Sequence, residues 1–135
     1  MTNQNSNKII HISLWVAQVL LAIMFIMAGV MKSSQPIEVL AESLPWVLST
    51  PAALVRFIGV SELLGGLGLI LPALLRIKPF LTVWAALGLA LIMVLAAIFH
   101  IMEGEYSVIG MNFLFMAIAI FVAWGRSKKV VIQAK

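Results

Sequence analysis

Apolar residues run almost unbroken through four stretches of this chain, and the breaks fall at charges and prolines. Runs of this kind select helices over a closed barrel, whose strands would alternate polar and apolar positions. The stretches cover about 9–31, 52–75, 80–102 and 108–124. Each is near the roughly 20 residues that cross a ~30 Å hydrocarbon layer. Pro51 and Pro79 stand just before the second and third, where proline suits a first helical turn; Ser107 can cap the fourth and Gly125 can end it. The connections 76–79 and 103–107 are short, which makes neighbouring spans antiparallel. The pattern predicts an all-α integral membrane four-helix bundle, with residues 1–135 as a single transmembrane domain.

The connection from Lys32 to Pro51 has a pattern of its own. Pro36 marks a helix start, Ile37, Leu40, Ala41 and Leu44 follow at helical spacing, and Glu38 and Glu42 take the other face. This predicts a short amphipathic helix over about 36–44, ended at Pro45 and lying on the membrane surface. Such a helix would lid one mouth of the bundle. An extended loop is the alternative.

Composition agrees with the pattern: 63% of residues are hydrophobic and 10% charged, with a mean hydropathy of +1.12. These values exclude a soluble domain, and four spans leave no residues for a separate catalytic one. The polar start MTNQNSNK precedes a run too long for a signal-peptide core and lacking a clear small-residue cleavage site, so the first span is expected to be retained. There is no cysteine, which excludes thiol relays, iron–sulfur clusters and CxxCH haem attachment. His11 and His100 belong at opposite membrane faces and cannot share a metal or haem. His11 reads as an interfacial residue. No catalytic constellation and no cofactor motif is recognisable.

Charge gives the orientation. Lys8, Arg76, Lys78, Arg126, Lys128, Lys129 and Lys135 fall on one side, and Lys32 alone falls on the other together with Glu38, Glu42, Glu103 and Glu105. The positive-inside rule then places both termini in the cytoplasm, with the basic surface against anionic lipid. The net charge of +4 belongs to a polarised membrane protein, not to a nucleic-acid binder. Trp84 and Trp124 fall near the inner boundary and Trp46 near the outer one, as an aromatic belt; Trp15 lies deeper and can pack on a partner helix.

Glu62 is the exception in the second run. Taking a rise of about 1.5 Å per residue from Ala52, Arg56 lies roughly 6 Å and Glu62 roughly 15 Å inside the bilayer. An ionisable group at that depth faces a protein interior, where it either binds something or ties helices together. Its side chain leans toward the N-terminus over Gly59. Arg56 is about 120° away around the helix, so the partners of both are expected on other helices. The candidates are Lys32, His100 and Asn112, all in the outer half, beside Glu103 and Glu105; the inner half reads as almost purely apolar. Interfacial snorkelling also accounts for Lys32 and His100, and helix glue for Asn112. Gly59, Gly65, Gly66 and Gly68 make the second span smooth enough for close packing, with Ser61 and Gly65 at small-xxx-small spacing.

Nearly the whole chain resembles the DoxX-like proteins, small four-helix membrane proteins. The resemblance rests on AGVMK closing span one, RFIGVSELLGGLGLILP in span two, AAIFHIMEGE ending span three, and Asn112 leading into a last span that stops at WGR. ELLGGLGLILP is its most specific part. The resemblance implies a bacterial inner-membrane protein, some of whose relatives are linked to quinone-coupled oxidoreductase complexes. It carries over Lys32, Glu62 and His100, and less firmly Arg56 and Asn112, but no catalytic mechanism.

The leading expectation is a non-enzymatic subunit or binding module whose outer-leaflet polar pocket holds a quinone or lipid headgroup, or docks a partner such as a membrane oxidoreductase complex. Lys32 or Arg56 would donate to the ligand, Glu62 would tune or accept a proton, and His100 would pass it outward. One alternative is a small proton-coupled exporter built on Glu62. Another is a structural assembly factor in which the polar cluster only sets helix register. A homo-oligomer is compatible with each.

Overall fold

The computed structural model describes residues 3–135, with side chains from Asn5 onward. Met1 and Thr2 of the polar start lie outside the described residues. Four long helices, α1 (Asn3–Ser34), α3 (Ala52–Leu75), α4 (Phe80–Met102) and α5 (Ile109–Trp124), form an antiparallel bundle. A short helix, α2 (Ile37–Ser43), lies between α1 and α3. Below, the end holding both termini is the terminal end, and the end holding α2 is the distal end.

The first helix extends past its apolar run on both sides. At its exit the hydroxyls of Ser33 and Ser34 donate back to the Val30 carbonyl, which suits polar residues to the last turn. Pro36 then directly precedes α2, whose apolar face buries Leu40 completely. A one-turn 3₁₀ segment, Pro45–Ser49, follows α2 and was not foreseen. Together these segments form a roof: Leu40, Val47 and Val55 make a small core flanked by Met31, Ile37 and Trp46. Glu38 and Glu42 remain exposed.

Two expected helix ends are different in the structure. Ser107 lies inside a 3₁₀ turn, Tyr106–Val108, and α5 has no side-chain cap at its start. Gly125 does not stop the helix, because its φ of −65° is helical and the chain continues through a wider π turn, Gly125–Lys129. Its lack of a side chain serves packing instead: a Cβ there would collide with Leu14 of α1.

The long helices close a ring in which α1 and α4 each pack against both α3 and α5. Leu21, Phe25, Leu69, Leu89, Met93 and Val122 fill its centre, while Phe57, Leu64, Leu91 and Trp84 point outward. Hydrocarbon solvates those outer side chains as well as a core would, so helix association depends on close packing and internal hydrogen bonds. Glycine supplies the packing. A Cβ on Gly29 would lie 2.5 Å from the Leu63 backbone nitrogen and 2.6 Å from the Gly59 carbonyl oxygen. On the facing helix, Gly59 and Gly66, two turns apart, meet α1, whereas Gly65 and Gly68 meet Leu89 and Ala85 of α4. The Ser61–Gly65 spacing singled out above is therefore not the one that brings α1 close.

Pro72 sits inside α3 and has no N–H for the Gly68 carbonyl one turn back. Thr82 of α4 replaces it, donating its hydroxyl to Gly68 at 3.0 Å. Gln18 of α1 donates its amide to the adjacent Leu69 carbonyl at 2.6 Å. A proline is tolerated in a membrane helix when neighbours satisfy the backbone in this way. Thr82→Val keeps the shape but leaves the buried carbonyl unpaired, and is expected to cost about 1–3 kcal/mol. Unfolding in detergent micelles, followed by circular dichroism, checks this.

Candidate functional site

The distal end holds the polar group that depth and charge had indicated. Lys32, in the last turn of α1, and Glu62, mid-way along α3, meet through Nζ and Oε1 at 2.6 Å. Glu62 is 2% exposed. Their approach depends on Gly59: a Cβ there would stand 2.7 Å from the Lys32 Cβ and 2.6 Å from the Ser33 nitrogen. The smooth surface one turn before Glu62 thus gives room to the lysine stem and the backbone that carries it.

Arg56 does not join this pair through its charge. Pro36 cannot donate to the Lys32 carbonyl, so that group at the end of α1 lacks its helical partner. Arg56 supplies one, with Nη1 donating to the carbonyls of Lys32, at 3.0 Å, and Gln35. A cation is favourable at a helix C-terminus. Arg56 therefore fixes the end of α1, and with it the position of Lys32.

Trp46, from the roof, makes inward contacts that a membrane-belt role alone does not call for. It is half-buried, lies 5.7 Å from the Lys32 ammonium, and packs edge-on against Phe99 and His100 of α4. The His100 Nδ1 lies 3.2 Å from Glu105 Oε1 in the neighbouring connection. One indole thus links the Lys32–Glu62 pair to the His100–Glu105 pair. Asn112 is not tied in: its buried Nδ2 has no hydrogen-bond partner among the described residues. The expected five-residue constellation resolves into an ion pair, a helix-end clamp, a histidine pair across an aromatic ring, and an unpartnered amide. Among the described residues no group of three or more His, Asp or Glu side chains is placed to hold a metal.

The terminal half is not the apolar block expected of it. Arg126, in the π turn after α5, is 3% exposed. Its Nε donates to Gln18 Oε1 at 2.7 Å, and Gln18 in turn holds the Leu69 carbonyl. A single amide thus joins α1, α3 and the end of α5. The guanidinium also contacts His11 Nδ1 at 3.0 Å and the Val130 carbonyl at 3.2 Å, and lies 5.3 Å from the Trp15 ring. His11 is consequently part of a buried network and not merely interfacial. Gln18, Thr82 and the inward turn of Arg126 were missed. An amide alone in the first apolar run and a proline inside the second were the available signals.

The family model described as DoxX-like family matches residues 16–122. That stretch includes Lys32, Arg56, Glu62, His100 and Asn112, and excludes His11 and Arg126. No curated protein and no solved structure gives a significant match. Four helices are long and apolar enough to cross a membrane, and the match runs from the first of them into the last; the chain is a multi-pass membrane protein that belongs to the DoxX-like family.

Proposed function

We propose that the chain is a non-enzymatic subunit of a bacterial plasma membrane, with both termini cytoplasmic, and that its distal polar cluster binds the polar head of a hydrophobic ligand. A quinone is the class that suits the surroundings best. The observation that carries this reading is the Lys32–Glu62 pair at 2.6 Å, with its carboxylate buried, beside the indole that a separate segment, the roof, turns toward Lys32. An ammonium has three N–H donors, so Lys32 retains donors beyond the one facing Glu62. A quinone carbonyl can accept from it while the flat ring stacks on Trp46 or Phe99, for which the offset and edge-on geometries of aromatic pairs are favourable. His100 and Glu105, the latter 36% exposed, offer a route for a proton between this cluster and the surface. The acidic outer face of α2 gives an oxidoreductase partner a surface to meet.

The experiment is mass spectrometry of molecules that co-purify in mild detergent. Wild-type protein is expected to carry a quinone that Lys32→Met and Glu62→Gln both deplete. Absence of any quinone or specific lipid, with partner recovery unchanged in Glu62→Gln, would rule the reading out. A purely structural role draws support from Gly29 and Gly59, which let the same pair act as a tie between α1 and α3. Function retained when Lys32 and Glu62 are replaced together by apolar residues would favour it. The exporter reading gains nothing from a carboxylate already engaged by a lysine; substrate-driven proton flux in liposomes, lost in Glu62→Gln, would revive it.

A further inference from the structure

The guanidinium of Arg126 is buried without a counter-charge. A guanidinium carries five N–H donors and accepts nothing. Three are directed at Gln18 Oε1, His11 Nδ1 and the Val130 carbonyl. Since arginine can only donate, the facing His11 nitrogen must be the acceptor of a neutral ring. All three partners are therefore uncharged, and Nη2 has no partner among the described residues. No acidic side chain is near enough to help: all five, Glu38, Glu42, Glu62, Glu103 and Glu105, belong to the distal half. A buried charge is costly unless it is paired, so an anion that reached Nη2 would meet both an unused donor and an uncompensated charge.

Beside this guanidinium lies a cleft of about 370 Å³. Its walls include His11, Trp15, Leu74 and Arg76, closed on one side by the irregular segment 130–133. Three of the residues that Arg126 touches, His11, Trp15 and Val130, line the cleft, so the guanidinium stands directly behind its wall. Arg76 gives a second, exposed guanidinium at the rim, where its Nε donates only to the Gln133 carbonyl, at 2.7 Å. That contact and the bond from the Lys135 nitrogen to the Arg76 carbonyl hold the segment in place. Neither contact is apolar packing.

We propose that this cleft is a site for a phosphate-bearing anion, either the headgroup of an anionic phospholipid or free phosphate, bound between Arg126 and Arg76. The phosphate takes the place of the Val130 carbonyl at Nη1 and reaches Nη2, meeting the fork of donors that guanidinium groups present to phosphate. Trp15, Leu74 and Val131 supply apolar walls against which the upper part of an acyl chain can lie. His11 and Arg126 lie outside the residues matched by the family model, so the site is argued from this chain alone and does not depend on the distal cluster.

Native mass spectrometry and thermal unfolding of the full-length protein in mild detergent test the proposal, with phosphatidylglycerol, phosphatidylcholine and sodium phosphate as separate probes. Phosphatidylglycerol is expected to be retained in preference to phosphatidylcholine. Arg76→Gln is expected to weaken that retention about fivefold, as for one basic residue against an anionic lipid surface, and Arg126→Gln at least as much. Lys128→Gln, exposed at the same end, is expected to change nothing. Because Arg126 also braces three helices, Arg76→Gln is decisive if Arg126→Gln fails to fold. A thermal shift with phosphatidylglycerol alone assigns the anion to lipid, and a shift with sodium phosphate that Arg76→Gln abolishes assigns it to free phosphate. Equal retention of the two lipids with no phosphate shift, or an equal loss in Lys128→Gln, would overturn the site.

Discussion

Glu62→Ala is expected to lower the stability of the bundle by about 3–5 kcal/mol, the range for removing one partner of a buried ion pair. The loss comes from what is left behind: a lysine whose side chain is 15% exposed, facing an empty space in place of a carboxylate. Lys32→Met is expected to cost a similar amount for the mirror reason. The double replacement, Lys32→Met with Glu62→Leu, removes both charges and is expected to recover most of the loss, since a well-packed apolar pair is often no worse than the buried ion pair it replaces. Reversible unfolding of the wild type and these three variants in mixed micelles compares the two losses with the recovery. A hydrogen bond between membrane helices is often worth only ~0.6 kcal/mol. Losses of that size in both single variants, with none recovered in the double, would show that the contact is ordinary helix glue and not a desolvated ion pair.

The second large effect is expected from a single methyl group. Gly29→Ala places a Cβ 2.5 Å from the Leu63 nitrogen and 2.6 Å from the Gly59 oxygen. Both are backbone atoms of α3, so no side-chain rotation relieves the clash and the two helices must separate. Overpacking of this kind costs about 1–3 kcal/mol or more. The same shift draws Lys32, one turn further along α1, away from Glu62. Gly29→Ala is therefore expected both to destabilise the protein and to mimic Glu62→Gln in ligand recovery. Gly88→Ala is the control. Nothing lies within 4 Å of a Cβ at that position, and a helical alanine in place of glycine is expected to be neutral or to stabilise by up to about 1 kcal/mol. Equal behaviour of the two variants in thermal unfolding would mean that the α1–α3 approach is not set by glycine.

How much of this was legible in the sequence follows from what each feature depends on. The four spans and the roof helix follow from continuous hydropathy and from Pro36, Pro51 and Pro79, all local signals. Glu62 was visible because a charge inside a long apolar run is conspicuous by itself. Its partner was within reach of argument too, because depth and membrane side left only Lys32, His100 and Asn112 as candidates. The Arg126 network was not legible. It joins Gln18 to a residue 108 positions away, one member is neutral, and the other looked like one more basic residue setting orientation. The inward contacts of Trp46 were not legible either, because a tryptophan at a membrane boundary is ordinarily part of a belt and only the fold of the roof turns this one onto His100. Pro72 carried a usable signal. A proline in a spanning helix frees a carbonyl one turn back, and that carbonyl calls for a donor such as Thr82.

The two cations also differ in when their partners can exist. Lys32 and Glu62 lie on consecutive spans, 30 residues apart, so a nascent chain has both in hand once its second span has been made. The deep carboxylate need not wait in lipid for the rest of the bundle. Gln18 and Arg126 are the reverse case. That brace cannot close until the fourth span has emerged and turned back on the first, so it reports completed assembly. Through Leu69 it also reaches the helix weakened by Pro72. A chain interrupted before residue 126 keeps its charge pair but leaves Gln18 without that partner, a polar mark by which an unfinished bundle differs from a finished one inside the membrane.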